Sequence, residues 1–180
     1  MAKTNPQAKQ IDRPTTGRYQ LDPARSAVTF RTRHLFGLAG VKGTMPIVSG
    51  DIVVDAAVPE ADVTVTLDVA GISTGNTRRD RDVGKPRFLN VDLYPEMTFR
   101  AHGPGALKWS EGSLSLDGEL TVGMATKPVT LSIDLVEITD LGFRATAATR
   151  IDRYAYGITA GKGMAARYLT VGLEAVAEPV

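Results

Sequence analysis

What most limits the fold of this chain is its alternation of apolar and polar residues, which runs from Arg18 to Ala177. "ADVTVTLDVAGI" places Ala61, Val63, Val65, Leu67 and Val69 on one face, with Asp62, Thr64, Thr66 and Asp68 on the other. A period of two means a strand with one dry and one wet face. "SAVTFRTRHL" sets Val28 and Phe30 against Arg31 and Arg33. The same period aligns Leu114, Leu116, Leu120 and Val122; Val129, Leu131, Ile133 and Leu135; Phe143, Ala145, Ala147, Thr149 and Ile151; and Leu169, Val171, Leu173, Ala175 and Ala177. Turn residues at Asp22-Pro23, Ser49-Gly50-Asp51, Gly103-Pro104-Gly105, Lys127-Pro128 and Asp140-Leu141-Gly142 separate the runs. The spacing predicts an antiparallel meander of about eight or nine strands.

One-sided strands must close on something, and too few helical residues remain to cover them. Two all-β architectures satisfy that requirement: a closed barrel and a stacked sandwich. Ala145, Ala147, Ala175, Ala177 and Gly118 are small at inward positions, and an eight-stranded barrel leaves an interior wide enough for one ligand. A sandwich whose second sheet supplies the bulk fits the alternation as well.

The alternation stops once, at "TGNTRRDRDVGKPRFLNVDLYPEMTF", Thr74 to Phe99. Arg78, Arg79, Arg81, Lys85 and Arg87 crowd around Asp80 and Asp82. Asn76 or Thr77 suits a helix N-cap, Thr77 with Asp80 fits a capping box, and Gly84 with Pro86 beyond it ends the helix. A short helix in a β chain is placed to cover an open end. Its charges then form a solvated, salt-bridged face, an anionic head-group site or a nucleic-acid patch.

Composition narrows the chemistry. A net charge of +1 argues against a dedicated nucleic-acid binder. With no cysteine there is no disulfide, thiolate nucleophile or cysteine metal site. The histidines, His34 and His102, are separate and stand in no ligand motif, so no metal and no catalytic residue is expected. "GLAGVKG" lacks the ending of a phosphate loop, and Ser73 stands in no nucleophile elbow. Residues 1–17 are polar and lack an apolar signal core, so they are expected to form a disordered tail before a domain at 18–180. No run is apolar enough for a membrane helix, and the expected location is cytoplasmic.

The chain resembles the YceI-like, polyisoprenoid-binding family. The resemblance rests on "YQLDPARSAVTFRTRH", "GISTGNTRRD", "FLNVDLYPEMTF", "LTVGMATKPVTL" and "IDRYAYGI", in that order. It departs from the family pattern at Arg25, Asp82, Leu89, Met124 and Tyr156. The resemblance implies an antiparallel, lipocalin-like barrel of about eight strands that takes a long isoprenoid or similar apolar chain. No catalytic cofactor is expected, and the ligand is expected at one per chain or shared within a homodimer. The inward candidates are Val28, Phe30, Val65, Leu67, Met97, Phe99, Leu116, Leu131, Ile133, Phe143, Ala147 and Ile151. His34 as a wall residue, Arg79 in the lid, Phe88 as an inward plug and Tyr156 complete the expected ligand-contacting set. Two rival readings are an enzyme acting on an apolar substrate in the same barrel, and a β-sandwich that works through protein partners.

Overall fold

A computed structural model describes residues 10–34, 39–55, 60–110 and 113–180. The strands are β1 (Gly17–Leu21), β2 (Ala27–His34), β3 (Ala39–Met45), β4 (Ile47–Asp55), β5 (Glu60–Asp68), β6 (Glu96–Ala101), β7 (Leu107–Ser110), β8 (Ser113–Val122), β9 (Ala125–Thr139), β10 (Gly142–Asp152) and β11 (Tyr168–Pro179). Helix α1 (Thr77–Val83) follows β5, and a 3-10 turn (Arg153–Tyr156) follows β10.

The sheet closes. Its order runs β1-β4-β5-β6-β8-β9-β10-β11, and β11 pairs back onto β1. Two wall positions are each filled by an interrupted strand. β1 and β2 both run antiparallel to β11, at Ala177–Pro179 and Thr170–Glu174 respectively. The turn at Asp22 separates them, held by Arg25 N and Ser26 N donating to the Asp22 carbonyl. β3 and β4 likewise follow one another across Pro46, which has no N–H to give a ladder. β3 pairs with β2 and β4 with β1. The barrel therefore has eight wall positions although the described chain has eleven strands. The edge of β3 is joined to the segment before α1 by mutual bonds between Thr44 and Ser73 at 2.8 and 3.0 Å.

Two expected turns are strand instead. Ser49–Asp51 lies inside β4, where the Leu21 side chain fills the space a side chain on Gly50 would need. Lys127-Pro128 lies inside β9, whose residues before Ser132 pair with β8 only. Proline is tolerated there because the other edge asks for no N–H. The actual β8–β9 turn is at Gly123, whose φ of +59° suits glycine.

The interior is filled unevenly. Toward α1, Val28, Met45, Ile47 and Val69 are buried, with Leu67, Ile72, Leu89, Val91 and Met97 packed against them. Nearer the opposite end Tyr19 meets Phe143 edge to face, ring centres 5.0 Å apart. The other half is walled by alanines and aliphatic side chains that do not meet, as described below.

The chain between the 3-10 turn and β11 is held by a buried arginine. Arg153 donates from Nε to the Ala166 carbonyl, from Nη1 to Ile158 and Ala160, and from Nη2 to Ala165, at 2.6–3.0 Å. These bonds compensate the burial of a charge that pairs with no carboxylate among the described residues. Replacing Arg153 by Met should strand four part-buried carbonyls, at up to about 1–3 kcal/mol each where water cannot replace the guanidinium. Urea denaturation should register a loss of more than about 2 kcal/mol. Limited proteolysis of the variant should cut first within residues 157–166.

Candidate functional site

The unfilled half of the barrel is a cavity of about 160 Å³. Six strands supply most of its wall: Ile52 and Val54 of β4; Ala61, Val63 and Val65 of β5; Leu114 and Leu116 of β8; Leu131, Ile133 and Val136 of β9; Phe143, Ala145 and Ala147 of β10; Leu173 and Ala175 of β11. Phe99 of β6 and Leu107 of β7 complete it. All these side chains are apolar, because each stands at the inward phase of its strand. Register brings the alanines together: Ala145 faces Ala175, and Ala147 faces Leu173 and Ile133. Opposite Thr146/Ala147, β9 carries one extra residue, Asp134, and this bulge turns both Ile133 and Val136 inward.

Polar residues appear only at the rim, as Asp12, Arg13, Asp55 and Glu60. Here the segment before β1 crosses the barrel end. Ile11 forms a parallel bridge to Val136, with Asp12 N donating to the Val136 carbonyl at 2.8 Å and Val136 N to the Gln10 carbonyl at 2.9 Å. Asp12 also accepts from Ile138 N at 3.1 Å. The Arg13 guanidinium stands 5.0 Å from the ring centre of Trp109, which lines the rim from β7. Within the expected tail of 1–17, residues 10–14 thus form this crossing segment, while 1–9 lie outside the described residues.

The expected contact residues divide between places. Val65, Phe99, Leu116, Leu131, Ile133, Phe143 and Ala147 line the cavity. Val28, Leu67 and Met97 belong to the packed end. Phe30 is buried with its ring over Gly43, where a Cβ would stand 2.3 Å from it. Ile151 is half-buried and outside the cavity wall. The side chain of His34 lies outside the described residues. Gly118, expected to leave room, is covered by the Phe99 ring.

The helix is not the lid of this cavity. No residue of the segment from Val69 to Pro95 lines it, and Leu89 and Val91 pack against the filled end. The cause is strand direction: α1 follows the far end of β5, whereas the mouth lies where β5 begins. Phe88 does not plug the cavity but packs toward Gly161 of the loop before β11. Asn76 is the N-cap, accepting from Arg79 N at 3.0 Å. Asp80 turns back to Thr74 rather than closing a capping box with Thr77, accepting from Thr74 N at 3.0 Å and from its hydroxyl. Arg79 donates from Nε to Thr74 Oγ1 and lines a separate cleft on the barrel's outer wall. Tyr156 is buried outside the cavity wall, its hydroxyl without a partner among the described residues, and burial pushes its phenol above the usual range.

Sequence reading missed Trp109, Leu107 and the 10–14 segment. Residues 107–110 alternate too briefly to mark a strand. The only hint of order before Arg18 was the isolated apolar Ile11.

A closed antiparallel barrel with an apolar interior pocket defines a lipocalin-like protein. The YceI-like domain profile matches residues 19–178, and the chain belongs to that family. Protein YceI of Escherichia coli O6:H1 is 36% identical over 110 residues, which are 61% of this chain and 56% of that protein. The chain thus spans little more than half the length of this relative. Among solved structures, BcnA of Burkholderia cenocepacia superposes with a TM-score of 0.75 at 18% identity, over 86% of this chain and 98% of its own. A polyisoprenoid binding domain from Saccharophagus degradans gives 0.66 at 12% identity, over 90% and 98%. These two likenesses speak for the fold.

Substitutions should separate the empty half from the filled wall. Ala147→Leu projects into the cavity, so the unliganded protein should stay within about 1 kcal/mol of the parent in thermal denaturation. Gly118→Ala puts a methyl 2.5 Å from the Arg100 carbonyl and 2.6 Å from Phe99, and should cost about 1–3 kcal/mol.

Proposed function

We propose that this protein binds a long apolar lipid of the polyisoprenoid or isoprenoid-quinone class inside its barrel, as a carrier or store rather than a catalyst. The observation that carries the reading is the cavity wall, apolar on every strand, with polar groups confined to the rim. Such a wall rewards burial of hydrocarbon, at about 0.8 kcal/mol for each methylene. It offers no group to move a proton or hold a developing charge. Membership of the YceI-like family supports the same ligand class, as does the polyisoprenoid binding for which the Saccharophagus domain is named.

A cavity of this size holds only the start of such a chain. A space of about 150 Å³ accommodates one benzene ring, so the present 160 Å³ matches about one isoprene unit. A longer ligand needs the interior to open. Met45 and Met97 stand in the packed half, and methionine repacks at little cost. At the mouth, the 10–14 segment is held by a few backbone bonds and must move aside for entry.

Trp109 is the only tryptophan and sits on the rim. Titration with a prenylated quinone should quench its fluorescence saturably, and Ala147→Leu should abolish that response while the protein stays folded. Organic extracts of protein purified from its native host should contain an isoprenoid, detected by mass spectrometry. A bare extract together with no response to prenyl quinones or polyprenols would overturn the reading.

A further inference from the structure

The outer wall of the barrel carries a feature that lipid binding inside does not use. Register aligns Arg150, Thr170, Arg31 and Lys42 as direct partners across β10, β11, β2 and β3. All four are exposed, whereas the neighbouring row, with Val171 and Phe30, faces inward. Arg31 and Lys42 are like charges placed directly opposite, an arrangement that destabilises a sheet. Arg33 stands two residues from Arg31 on the same face. The row forms the floor of a wide cleft, edged by Arg79 and Thr74 on one side and by Ala166, Arg167 and Tyr168 on the other.

The carboxylates near this cleft are already used. Asp152 accepts from Arg167, whose guanidinium holds the carboxyl below the usual range. Asp80 is bound to Thr74. Among the described residues, no carboxylate is within ion-pair distance of Arg31, Arg33, Lys42 or Arg150. An amphipathic ring stands beside the cations. Tyr168 is 41% exposed, with the Arg150 guanidinium 3.9 Å from its ring centre, and Met164 on the adjoining loop is 55% exposed. Lys162 lies on the same loop.

We propose that this wall is a docking surface for an anionic lipid bilayer. Uncompensated cations beside a half-exposed amphipathic ring, with an exposed methionine on the loop that leads to Ala166, match the headgroup region of a membrane, where each basic side chain attracts acidic lipid. Single-stranded nucleic acid fits less well. It needs open aromatic faces for stacking, and Tyr168 is stacked against Arg150 and Arg167. The surface stands on different residues from the cavity, so docking and lipid uptake fail separately.

Flotation with vesicles of phosphatidylcholine, with and without phosphatidylglycerol, tests the proposal. The protein should float with the anionic vesicles only, and high salt should release it. Arg31→Gln with Lys42→Gln should weaken partitioning about thirtyfold at low salt, as each basic side chain contributes about fivefold. Lys42→Glu gives two readouts of opposite direction. It places opposite charges across β2 and β3 and should raise the melting temperature, yet weaken vesicle binding at least as much as loss of one cation. The Trp109 response to a prenyl quinone should be unchanged in these variants. Equal binding to neutral vesicles, undiminished binding by Lys42→Glu, or preference for an oligothymidylate over anionic vesicles at the same salt would each overturn the proposal.

Discussion

Closure of the sheet is the constraint on which everything else depends. An antiparallel sheet with one dry face needs a cover, and the described residues offer only an α-helix of seven residues and one 3-10 turn. Rolling the sheet upon itself solves the problem, because the dry faces cover one another and the edges are consumed. The ring closes through β11, which divides its length between two partners. That division is what allows β1 and β2 to share one wall position, with the Asp22 turn between them. Pro46 makes the matching break between β3 and β4, so the two interruptions lie side by side in the wall.

Side-chain size then decides where the ring is hollow. Around the α1 end, methionine, leucine, isoleucine and valine meet across the axis, helped by Leu89 and Val91 from the segment after the helix. Around the opposite end, β10 and β11 contribute Ala145, Ala147 and Ala175, and nothing crosses to fill their place. The cavity is therefore an asymmetry of the sequence within a regular architecture. Its mouth faces away from the helix and is crossed instead by residues 10–14.

The alternation made the wall legible. Its phase placed Val65, Phe99, Leu116, Leu131 and Phe143 inward, and the small residues of β10 and β11 marked where space remains. The period could not say which end of a strand carries the mouth, because inward phase carries no information on position along the strand. For that reason Val28, Leu67 and Met97, equal in pattern to Val65, lie in the packed half. The helix was legible from its cap and its terminating glycine, but its position depends on the direction of β5 and not on its own residues. Gly118 looked like empty space because a sequence does not show that the ring of Phe99 lies across it. Trp109 and the 10–14 segment were hidden for another reason: their order comes from contacts with distant strands, which no local pattern encodes.

The clamp around Arg153 has a consequence for how this protein can vary. The guanidinium grips main-chain carbonyls at Ile158, Ala160, Ala165 and Ala166, and carbonyls are the same whatever side chain a residue bears. The path of the loop is thus specified from outside the loop. Its tip, Gly161 to Met164, adds only main-chain features: left-handed glycines at 161 and 163, and bonds from Met164 N and Ala165 N to the Gly161 carbonyl. Residues there can be exchanged without dismantling the support beneath them. The barrel in effect carries an interchangeable cassette on a fixed mount.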